Sequence, residues 1–395
     1  MVALKDLSIR NKRALVRVDF NVPLDEQGKI LDPSRIVSAL PTIRYLLEQG
    51  CSIVLMSHMG RPKGGKEPKL SLKVCAQALS DLLGKQVVIA PDCVGPEVKK
   101  LVDALKPGEI LMLENLRFYP AEEKPELDPE FAKQLASYGD FYVDDAFGCA
   151  HRAHSSIVPV AKFFPGKSAE GFLLEKERKA LSQLLNDPKR PFLAILGGAK
   201  VSSKLGVIHS LLEKVDVLAI GGAMAFTFLK AKGMQVGSSL VEDSLIKEAE
   251  GVIKACENKK IPLLLPLDAV VAAEPAVSAV TNTIALNQGI PQGMKGLDIG
   301  PQTVDLFIGQ IKLAKTIFWN GPMGVFEVKP FAQGTYAIAK AFGESGATTV
   351  AGGGETVAAL MQTPYKDKVS HLSTGGGASL ELIEFGTLPG IDAVK

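Results

Sequence analysis

The 395-residue sequence lacks long apolar runs and has few cysteines. No stretch approaches the roughly 20 apolar residues that span a bilayer. The first residues, MVALKDLSIRNKR, carry charges where a signal peptide needs an apolar run. Both absences predict a cytoplasmic protein. The five cysteines, Cys51, Cys75, Cys93, Cys149 and Cys256, form no CxxC pair, and their odd number does not indicate a disulfide framework. We therefore expect buried thiols.

The chain also lacks an excess of charge and two common phosphate-binding signatures. A net charge of +2 argues against nucleic acid as a partner, since proteins that wrap nucleic acid usually have a pI above about 9. There is no GxxxxGK[ST], which excludes a P-loop, and no GxGxxG, which weakens a dinucleotide-binding interpretation. Because single cores stop growing near about 250–300 residues, the length predicts two domains.

Arginine and glycine are distributed unevenly along the chain. All ten arginines lie between Arg10 and Arg190, whereas 26 of the 38 glycines follow residue 190. The arginine fork binds carboxylate or phosphate through two hydrogen bonds, and glycine lets backbone N–H groups approach a phosphate closely. The asymmetry indicates two sites of different chemistry, with compositional drift between two domains as the alternative.

Short runs of Val, Ile, Leu and Phe alternate with longer segments of helical period, as in βαβ units. The pattern predicts an α/β fold with two doubly wound, Rossmann-like parallel-sheet α/β/α domains. The predicted strands are Ala14–Phe20, Ser52–His58, Gln86–Ala90, Ile110–Leu116 and Phe141–Phe147, then Phe192–Leu196, Val215–Ile220, Leu263–Leu267, Thr316–Trp319 and Thr348–Val350. A helix is expected to begin at Asp32-Pro33-Ser34, where Asp can cap the open N–H groups.

Residues 171–187, GFLLEKERKALSQLLND, separate the two halves. Their apolar side chains cluster at helical spacing, which predicts a connecting helix. An ordinary surface helix of one domain fits the same periodicity. Pro188 and Pro191 follow it, as expected of a boundary. We therefore predict an N-terminal domain over residues 1–170, a hinge helix over 171–187 and a second domain over 188–372.

Polar side chains follow the strands of the first half. Ligands of open parallel sheets bind beyond the carboxyl ends of the strands. These positions hold Asp19, Asn21, His58, Arg61, Arg117, His151, Arg152 and His154, with Arg35 in the first turn of its helix. Each alone is more often a solvated or structural residue. Together at one edge they would concentrate positive potential, which predicts a ligand that carries both carboxylate and phosphate.

The second half has glycine-rich strand-to-helix turns instead. They are GGAKVSSK (197–204), GGA (221–223), GGGET (352–356) and STGGGAS (373–379). Backbone N–H groups and the positive end of the following helix can bind an anion in such turns, although a lone glycine triplet also makes ordinary tight turns. Lys200 and Lys204 would share one helix face if the helix begins there.

Ten motifs stand in one order between residues 17 and 382: RVDFNVP, SHMGRP, ENLRF, DDAFGCAHRAHSS, GGAKVSSK, GGAMAFTFLK, GLDIGP, WNGPMGVFE, GGGETVAAL and STGGGASLEL. That order resembles the phosphoglycerate kinase family. The resemblance implies two α/β/α domains joined by a helical hinge, with residues 373–395 returning to the N-terminal domain. It implies reversible phosphoryl transfer between ATP and the carboxylate of 3-phosphoglycerate, a step of glycolysis and gluconeogenesis that yields 1,3-bisphosphoglycerate. We expect a monomer without membrane partners.

The resemblance also implies site residues. Those for the acid substrate are Asp19, Phe20, Asn21, Arg35, His58, Met59, Gly60, Arg61, Arg117 and Arg152, with His154 close by. Those for the nucleotide are Lys204, Gly221, Gly222, Gly296, Asn320, Glu327, Gly352, Gly353, Gly354, Glu355 and Thr356. Lys200, Arg35 and Gly376 would surround the migrating phosphoryl group. The family usually has Asp after the GGG triplet as the link to the Mg²⁺ of the nucleotide, and this chain has Glu355.

A carboxylate nucleophile is already ionised at pH 7, so positioning and charge stabilisation suffice without a general base. Because the two sites belong to different halves, turnover is expected to need domain closure that excludes water. Two alternatives stay open at this point: a Rossmann-type dehydrogenase and a two-domain small-molecule binding protein.

Overall fold

The computed structural model describes residues 3–395, which form two compact units. The first unit extends up to Lys179 and includes Thr387–Lys395, and the second comprises Ala180–Gly386. The change between units thus falls within the segment 171–187. The C-terminal stretch that belongs to the first unit begins at Thr387, later than the predicted residue 373.

The helices and strands, numbered in chain order, are as follows. The helices are α1 Ser34–Glu48, α2 Lys73–Leu83, α3 Pro96–Ala104, α4 Pro120–Glu123, α5 Pro129–Ala136, α6 Val158–Ala161, α7 Phe172–Asn186, α8 Leu205–Leu212, α9 Met224–Ala231, α10 Ile246–Lys259, α11 Pro301–Leu313, α12 Gln333–Glu344, α13 Gly354–Met361, α14 Gly377–Phe385 and α15 Pro389–Ala393. The strands are β1 Arg13–Val18, β2 Ser52–Met56, β3 Val87–Ile89, β4 Ile110–Met112, β5 Phe141–Asp145, β6 Ser168–Glu170, β7 Phe192–Leu196, β8 Val217–Ile220, β9 Leu263–Leu264, β10 Asp268–Ala272, β11 Asn282–Ala285, β12 Lys295–Ile299, β13 Thr316–Asn320, β14 Thr348–Gly352 and β15 His371–Leu372.

The first unit contains one parallel sheet in the order β3-β4-β2-β1-β5-β6. Ala14 and Val16 of β1 pack in the core on one face of the sheet, and Leu15 packs in the core on the other. Burial on both faces explains why these strands are continuous apolar runs. The strands end one to four residues earlier than predicted, and at β1 and β2 the backbone N–H groups beyond the strand donate to side chains of neighbouring segments. Phe20 N–H, for example, donates to Ser57 Oγ at 2.9 Å.

The second unit contains a parallel sheet in the order β15-β14-β13-β7-β8-β9. The predicted α/β class with two parallel sheets is therefore confirmed. The strand predicted over Leu263–Leu267 is shorter, Leu263–Leu264, since Pro266 has no N–H for a sheet ladder. The antiparallel sheet β11-β10-β12 was not predicted. Asn320 at the end of β13 pairs with Gly352 of β14 and Leu196 of β7, which aligns three strand ends.

Aspartate side chains accept hydrogen bonds at the starts of several helices, α1 and α7 among them. Asp32 Oδ1 accepts from Ser34 N–H at 2.9 Å at the start of α1, as the sequence predicts. Asp145 Oδ1 accepts from Leu173 N–H at 2.9 Å at the start of α7, the helix expected over 171–187. The hinge role of α7 stays a prediction. Within residues 3–395, no helix is both long and apolar enough to cross a bilayer.

Candidate active site

In the first unit, the loops that follow β1 and β2 are joined by polar contacts. Arg35 Nη1, in the first turn of α1, donates to Asp19 Oδ2 at 2.6 Å. Asn21 Oδ1 accepts from Gly60 N–H at 2.8 Å. Each hydrogen bond joins a side chain of one segment to a group of a different segment, so the loops at the strand ends are held in a fixed arrangement. Phe20 and Met59 are buried, and their N–H groups donate to Ser57 Oγ and Asn115 Oδ1, so both residues support the site from below.

Arg117 lies in a short 3₁₀ turn after β4 and reaches the same place. Its Nη1 donates to the Gly60 carbonyl at 2.8 Å, and its Nη2 is 3.0 Å from Glu123 Oε1. Its Nε is buried and has no hydrogen-bond partner within residues 3–395. A buried donor without a partner costs free energy, which a ligand oxygen would recover. Arg117 therefore has a donor to spare for an anion.

Two histidines of this site are neutral at pH 7. Burial, together with the charge of Arg17 and other nearby cations, lowers the pKa of His58 well below its usual value. The same causes lower the pKa of His154 to about 3. His154 Nδ1 is 3.9 Å from Glu122 Oε1. The positive potential of the site thus comes from arginines, and the histidines contribute hydrogen bonds.

Arg61 and Arg152 are exposed, unlike the residues above. Arg152 Nε donates to His151 Nε2 at 2.9 Å. Arg61 forms neither a hydrogen bond nor an ion pair with any group of residues 3–395, although Gly60 beside it takes part in two contacts. The structure therefore brings Asp19, Asn21, Arg35, His58, Gly60 and Arg117 together directly, and it leaves the Arg61 and Arg152 side chains exposed on the adjoining loops.

Sequence reasoning missed the buried layer below this site. Arg17 of β1 is 0% exposed, and its Nη2 is 3.8 Å from Glu122 Oε1 and 3.2 Å from His58 Nδ1. The signal was present, because an arginine inside the apolar strand ALVRV demands buried partners. Asp19, His58 and Cys149 offer ligand atoms within 4.8 Å of one another, but the guanidinium at 3.8 Å from Cys149 Sγ repels a metal cation.

The second unit has a cavity of about 260 Å³ lined by glycine and apolar side chains. Its wall includes Gly198, Gly222, Phe226, Gly296, Met323 and Glu327. A Cβ on Gly296 would collide with the Phe226 ring, and Gly222 has a φ of +63°. Gly221 is buried against Met323 behind this wall. We call this cavity the apolar slot, because glycine and apolar side chains make up most of its lining, with Lys295, Asp298, Glu327 and Glu355 as its charged members.

A smaller cavity of about 180 Å³ lies beside Lys204. Asn320, Gly353, Gly354, Thr356 and Gly376 also line it. The N-termini of α13 and α14 open here, at Gly353 with φ +91° and Gly376 with φ +53°. Two helix N-termini beside a lysine make a strong anion site. Gly352 is not part of the lining, but its carbonyl accepts from Asn320 Nδ2 at 2.7 Å.

Lys204 and Glu355 are the charged residues that line the smaller cavity. Burial lowers the pKa of Lys204 to about 8, and the charge of Glu355 offsets part of that shift. Lys204 Nζ donates to Asn320 Oδ1. Glu355 is exposed and borders both cavities. A single carboxylate between the two cavities fits an ion bound mainly by nucleotide phosphates, since Mg²⁺ commonly uses one or two carboxylates and keeps several waters.

Lys200 lies apart from Lys204. It is exposed and lines neither of these cavities. The shared helix face does not form, because α8 begins only at Leu205 and residues 201–204 are a turn in which Lys204 N–H donates to the Val201 carbonyl at 2.8 Å. The structure thus brings most predicted nucleotide residues together and leaves Lys200 on an exposed turn.

Known proteins are similar to this chain over nearly its whole length. The family model described as phosphoglycerate kinase matches residues 4–385. Phosphoglycerate kinase of Moorella thermoacetica is 53% identical over 393 residues, which cover 100% of this chain and 98% of the relative. That of Chlorobium phaeobacteroides is 51% identical over 396 residues, which cover 100% and 99%.

Solved structures are similar as well. The structure of phosphoglycerate kinase from Coxiella burnetii has a TM-score of 0.89 at 39% identity, and it covers 100% of this chain and 98% of that chain. The enzyme from Pyrococcus horikoshii has a TM-score of 0.85 at 33% identity, with the same coverage. Neither a dehydrogenase nor a non-enzymatic binding protein is favoured by these findings. The chain therefore belongs to the phosphoglycerate kinase family and is a phosphotransferase of that activity.

Proposed function

We propose that the arginine site of the first unit binds 3-phosphoglycerate and that the two cavities of the second unit bind ATP with Mg²⁺. The observation that supports the proposal is that Gly60 and Asp19 hold two arginine side chains in place at the site. Arg117 Nη1 donates to the Gly60 carbonyl, and Arg35 Nη1 donates to Asp19 Oδ2. Cations held in place by backbone and carboxylate partners are pre-organised for a dianion.

On the acid side, each group has a distinct role. Arg35, Arg61, Arg117 and Arg152 supply charge. Asp19 accepts a hydrogen bond from the hydroxyl group of the substrate, Asn21 accepts from it or donates to it, and His58 and His154 donate hydrogen bonds. The exposed Arg61 and Arg152 are unpaired or weakly paired without ligand, so they lose little when they turn towards an anion.

On the nucleotide side, the apolar slot suits the adenine ring and the smaller cavity suits the phosphates. Gly222 and Gly296 line the slot, and Glu327 at its edge would contact the ribose. Lys204, Asn320 and the N–H groups at Gly353, Gly354 and Gly376 would surround the phosphates. Glu355 would hold the Mg²⁺ that accompanies them, and that ion neutralises phosphate charge when bound.

The reaction needs no proton transfer. A carboxylate oxygen of 3-phosphoglycerate forms a bond to the γ-phosphorus, the bond from that phosphorus to the bridging oxygen breaks, and ADP leaves with the electron pair. The residues named here position both ends and stabilise charge on the migrating group, with Arg35, Lys200 and the N-terminus of α14 at Gly376 proposed to contact it. The low pKa values of His58 and His154 make both rings poor proton acceptors, which is consistent with catalysis that uses no general base.

A matched pair of arginine variants tests the acid site. Arg61→Ala should raise the KM for 3-phosphoglycerate about tenfold or more and leave the KM for MgATP within twofold, since one charged hydrogen-bond donor is lost. Arg44→Ala is the control, because Arg44 is also exposed but contacts only the Leu82 carbonyl. Steady-state rates with each substrate varied in turn give both constants. An unchanged KM for 3-phosphoglycerate in Arg61→Ala would refute the proposed acid site.

A further inference from the structure

Arg17 lies in the middle of the first sheet with its charge completely enclosed. Its Nε donates to Ser156 Oγ at 2.8 Å, and its Nη1 donates to the Val18 carbonyl. Nη2 is 3.2 Å from His58 Nδ1. A buried ion is tolerated only with good partners, so the guanidinium plane has one orientation.

The partners of Arg17 are themselves held. Ser156 Oγ donates to Glu122 Oε1 at 2.7 Å, and Ser156 N–H donates to Glu122 Oε2 at 3.1 Å. Tyr142 Oη donates to the Ser156 carbonyl at 2.9 Å. All of these side chains are fully buried. Nη2 therefore cannot turn away from His58 without breaking several buried hydrogen bonds.

This contact selects one tautomer of His58. Guanidinium nitrogens donate only, whereas a neutral imidazole has one N–H and one acceptor nitrogen. A hydrogen bond from Nη2 requires Nδ1 to be the acceptor, so the ring proton must be on Nε2. The other tautomer would place two N–H donors against each other at 3.2 Å in a buried site. The low pKa of His58, caused by burial and then by Arg17, keeps the ring neutral.

The remaining ring nitrogen is the one available to a ligand. Within residues 3–395, Nε2 of His58 forms no hydrogen bond, and the contacts of the ring with Arg17 and Cys149 are both made by Nδ1. Arg35 and Arg117 are close enough to lower the pKa of His58 by their charge. An anion attracted by these arginines is bound well by an N–H donor and is repelled by a lone pair.

We propose that Arg17 is a positioning residue of the acid-binding site, which holds His58 in the Nε2–H tautomer so that the ring donates a hydrogen bond to the anionic substrate. The inference rests on the proposed function. Arg17 does not contact substrate itself, because its side chain is enclosed on all sides. Its effect passes through the position of one proton on His58.

The test removes the guanidinium without leaving a buried carboxylate unpaired, in the double variant Arg17→Met/Glu122→Gln. Arg13→Met is the matched control, since Arg13 is also on β1 but donates to the Val102 carbonyl at 2.6 Å. Long-range proton–nitrogen NMR of histidine-labelled, ligand-free protein reports the tautomer of His58, and calorimetry reports the affinity for 3-phosphoglycerate.

We expect the Nε2–H tautomer of His58 in the wild-type protein and in Arg13→Met. The double variant should show mixed tautomers and bind 3-phosphoglycerate about tenfold more weakly, with ATP affinity within twofold.

A second background separates positioning from general damage. His58→Gln places an amide N–H donor near the position of Nε2 and has no tautomer to select. When Arg17→Met/Glu122→Gln is added to His58→Gln, 3-phosphoglycerate binding should be less than twofold weaker than in His58→Gln alone. A full tenfold loss there would overturn the inference, as would the Nε2–H tautomer persisting in the double variant.

The NMR measurement on wild-type protein alone also tests the proposal, whether or not the variants fold. An Nδ1–H tautomer or an imidazolium at pH 7 for His58 would overturn the proposal. If Arg61→Ala weakens 3-phosphoglycerate binding and the Arg17 variant does not, only this inference fails. If neither does, the proposed acid site fails first.

Discussion

The two proposed anion sites are built by different means. The first unit uses charged side chains, such as Arg35 and Arg117, which are held by Asp19 and Gly60. The second unit uses backbone N–H groups at the glycine-rich starts of α13 and α14, with Lys204 as its one buried lysine. Side chains give geometry-specific recognition of a small acid but need a supporting layer beneath them. Backbone N–H groups need only the right turn, and glycine permits that turn.

The difference extends to how each site responds to pH. Arginine stays charged at all ordinary pH values, and the pKa values of His58 and His154 lie well below 7. The first site therefore has one protonation state around neutrality. The second depends on Lys204, whose pKa of about 8 is within reach of physiological conditions. The following predictions test this contrast, from the largest expected effect to the smallest.

Lys204→Met should lower turnover by about 10²- to 10³-fold, because an ammonium beside transferring phosphates stabilises charge as it develops. The KM for 3-phosphoglycerate should stay within twofold. Lys254→Met, at an exposed lysine of α10, is the control and should match wild type. Steady-state kinetics with both substrates check the result, and turnover within threefold of wild type would contradict it.

Gly353→Ala should raise the KM for MgATP about 10- to 100-fold. The φ of +91° disfavours any side chain, and the new Cβ would lie 2.6 Å from Asn320 Nδ2, so the turn at the start of α13 must shift. Gly251→Ala is the control, since Gly251 in α10 has no neighbouring atom within 4 Å. Gly251→Ala should leave turnover and the KM for MgATP unchanged, and it should add about 0.5–1 kcal/mol to the free energy of unfolding. Normal MgATP kinetics in Gly353→Ala would show that the backbone cradle is not used.

Nucleotide affinity should fall as pH rises through about 8, and 3-phosphoglycerate affinity should not. Lys204 carries its charge below its pKa of about 8 and loses it above, so ATP binding at pH 9 should be roughly tenfold weaker than at pH 7. Calorimetric titrations between pH 7 and 9 measure both ligands. Lys204→Arg, which stays charged, should flatten the nucleotide curve. A parallel fall for both ligands would remove the contrast between the sites.

Glu355→Gln should raise the Mg²⁺ concentration needed for half-maximal rate by roughly fivefold, because an exposed carboxylate contributes about 1 kcal/mol to holding the ion. Glu355→Asp should keep the wild-type requirement. Glu344→Gln, at an exposed glutamate of α12 that is 3.9 Å from Lys368 Nζ, is the control. An unchanged Mg²⁺ curve with lower thermal stability would mean that Glu355 only favours the N-terminus of α13.

The strand positions were predictable because buried parallel strands are apolar on both faces. The antiparallel strand β11 was not, since it is half exposed and has no distinctive pattern, whereas β10 is a buried apolar run that the prediction overlooked. The predicted helix face shared by Lys200 and Lys204 does not form either, because the chain makes a turn at 201–204 before α8 begins. Local spacing does not reveal where a helix begins when a glycine pair precedes it.

The sequence by itself determined that two parallel-sheet units carry an arginine-rich edge and a glycine-rich edge. This followed because the composition of strands and turns is a local property. Only the tertiary structure decided which donors meet. Arg17 and Glu122 are 105 positions apart, and Ser156 is 34 further on, yet all three converge beneath His58. Such a layer depends on which strands are neighbours in the sheet. A buried charge in a strand predicts that partners exist, and the fold alone identifies them.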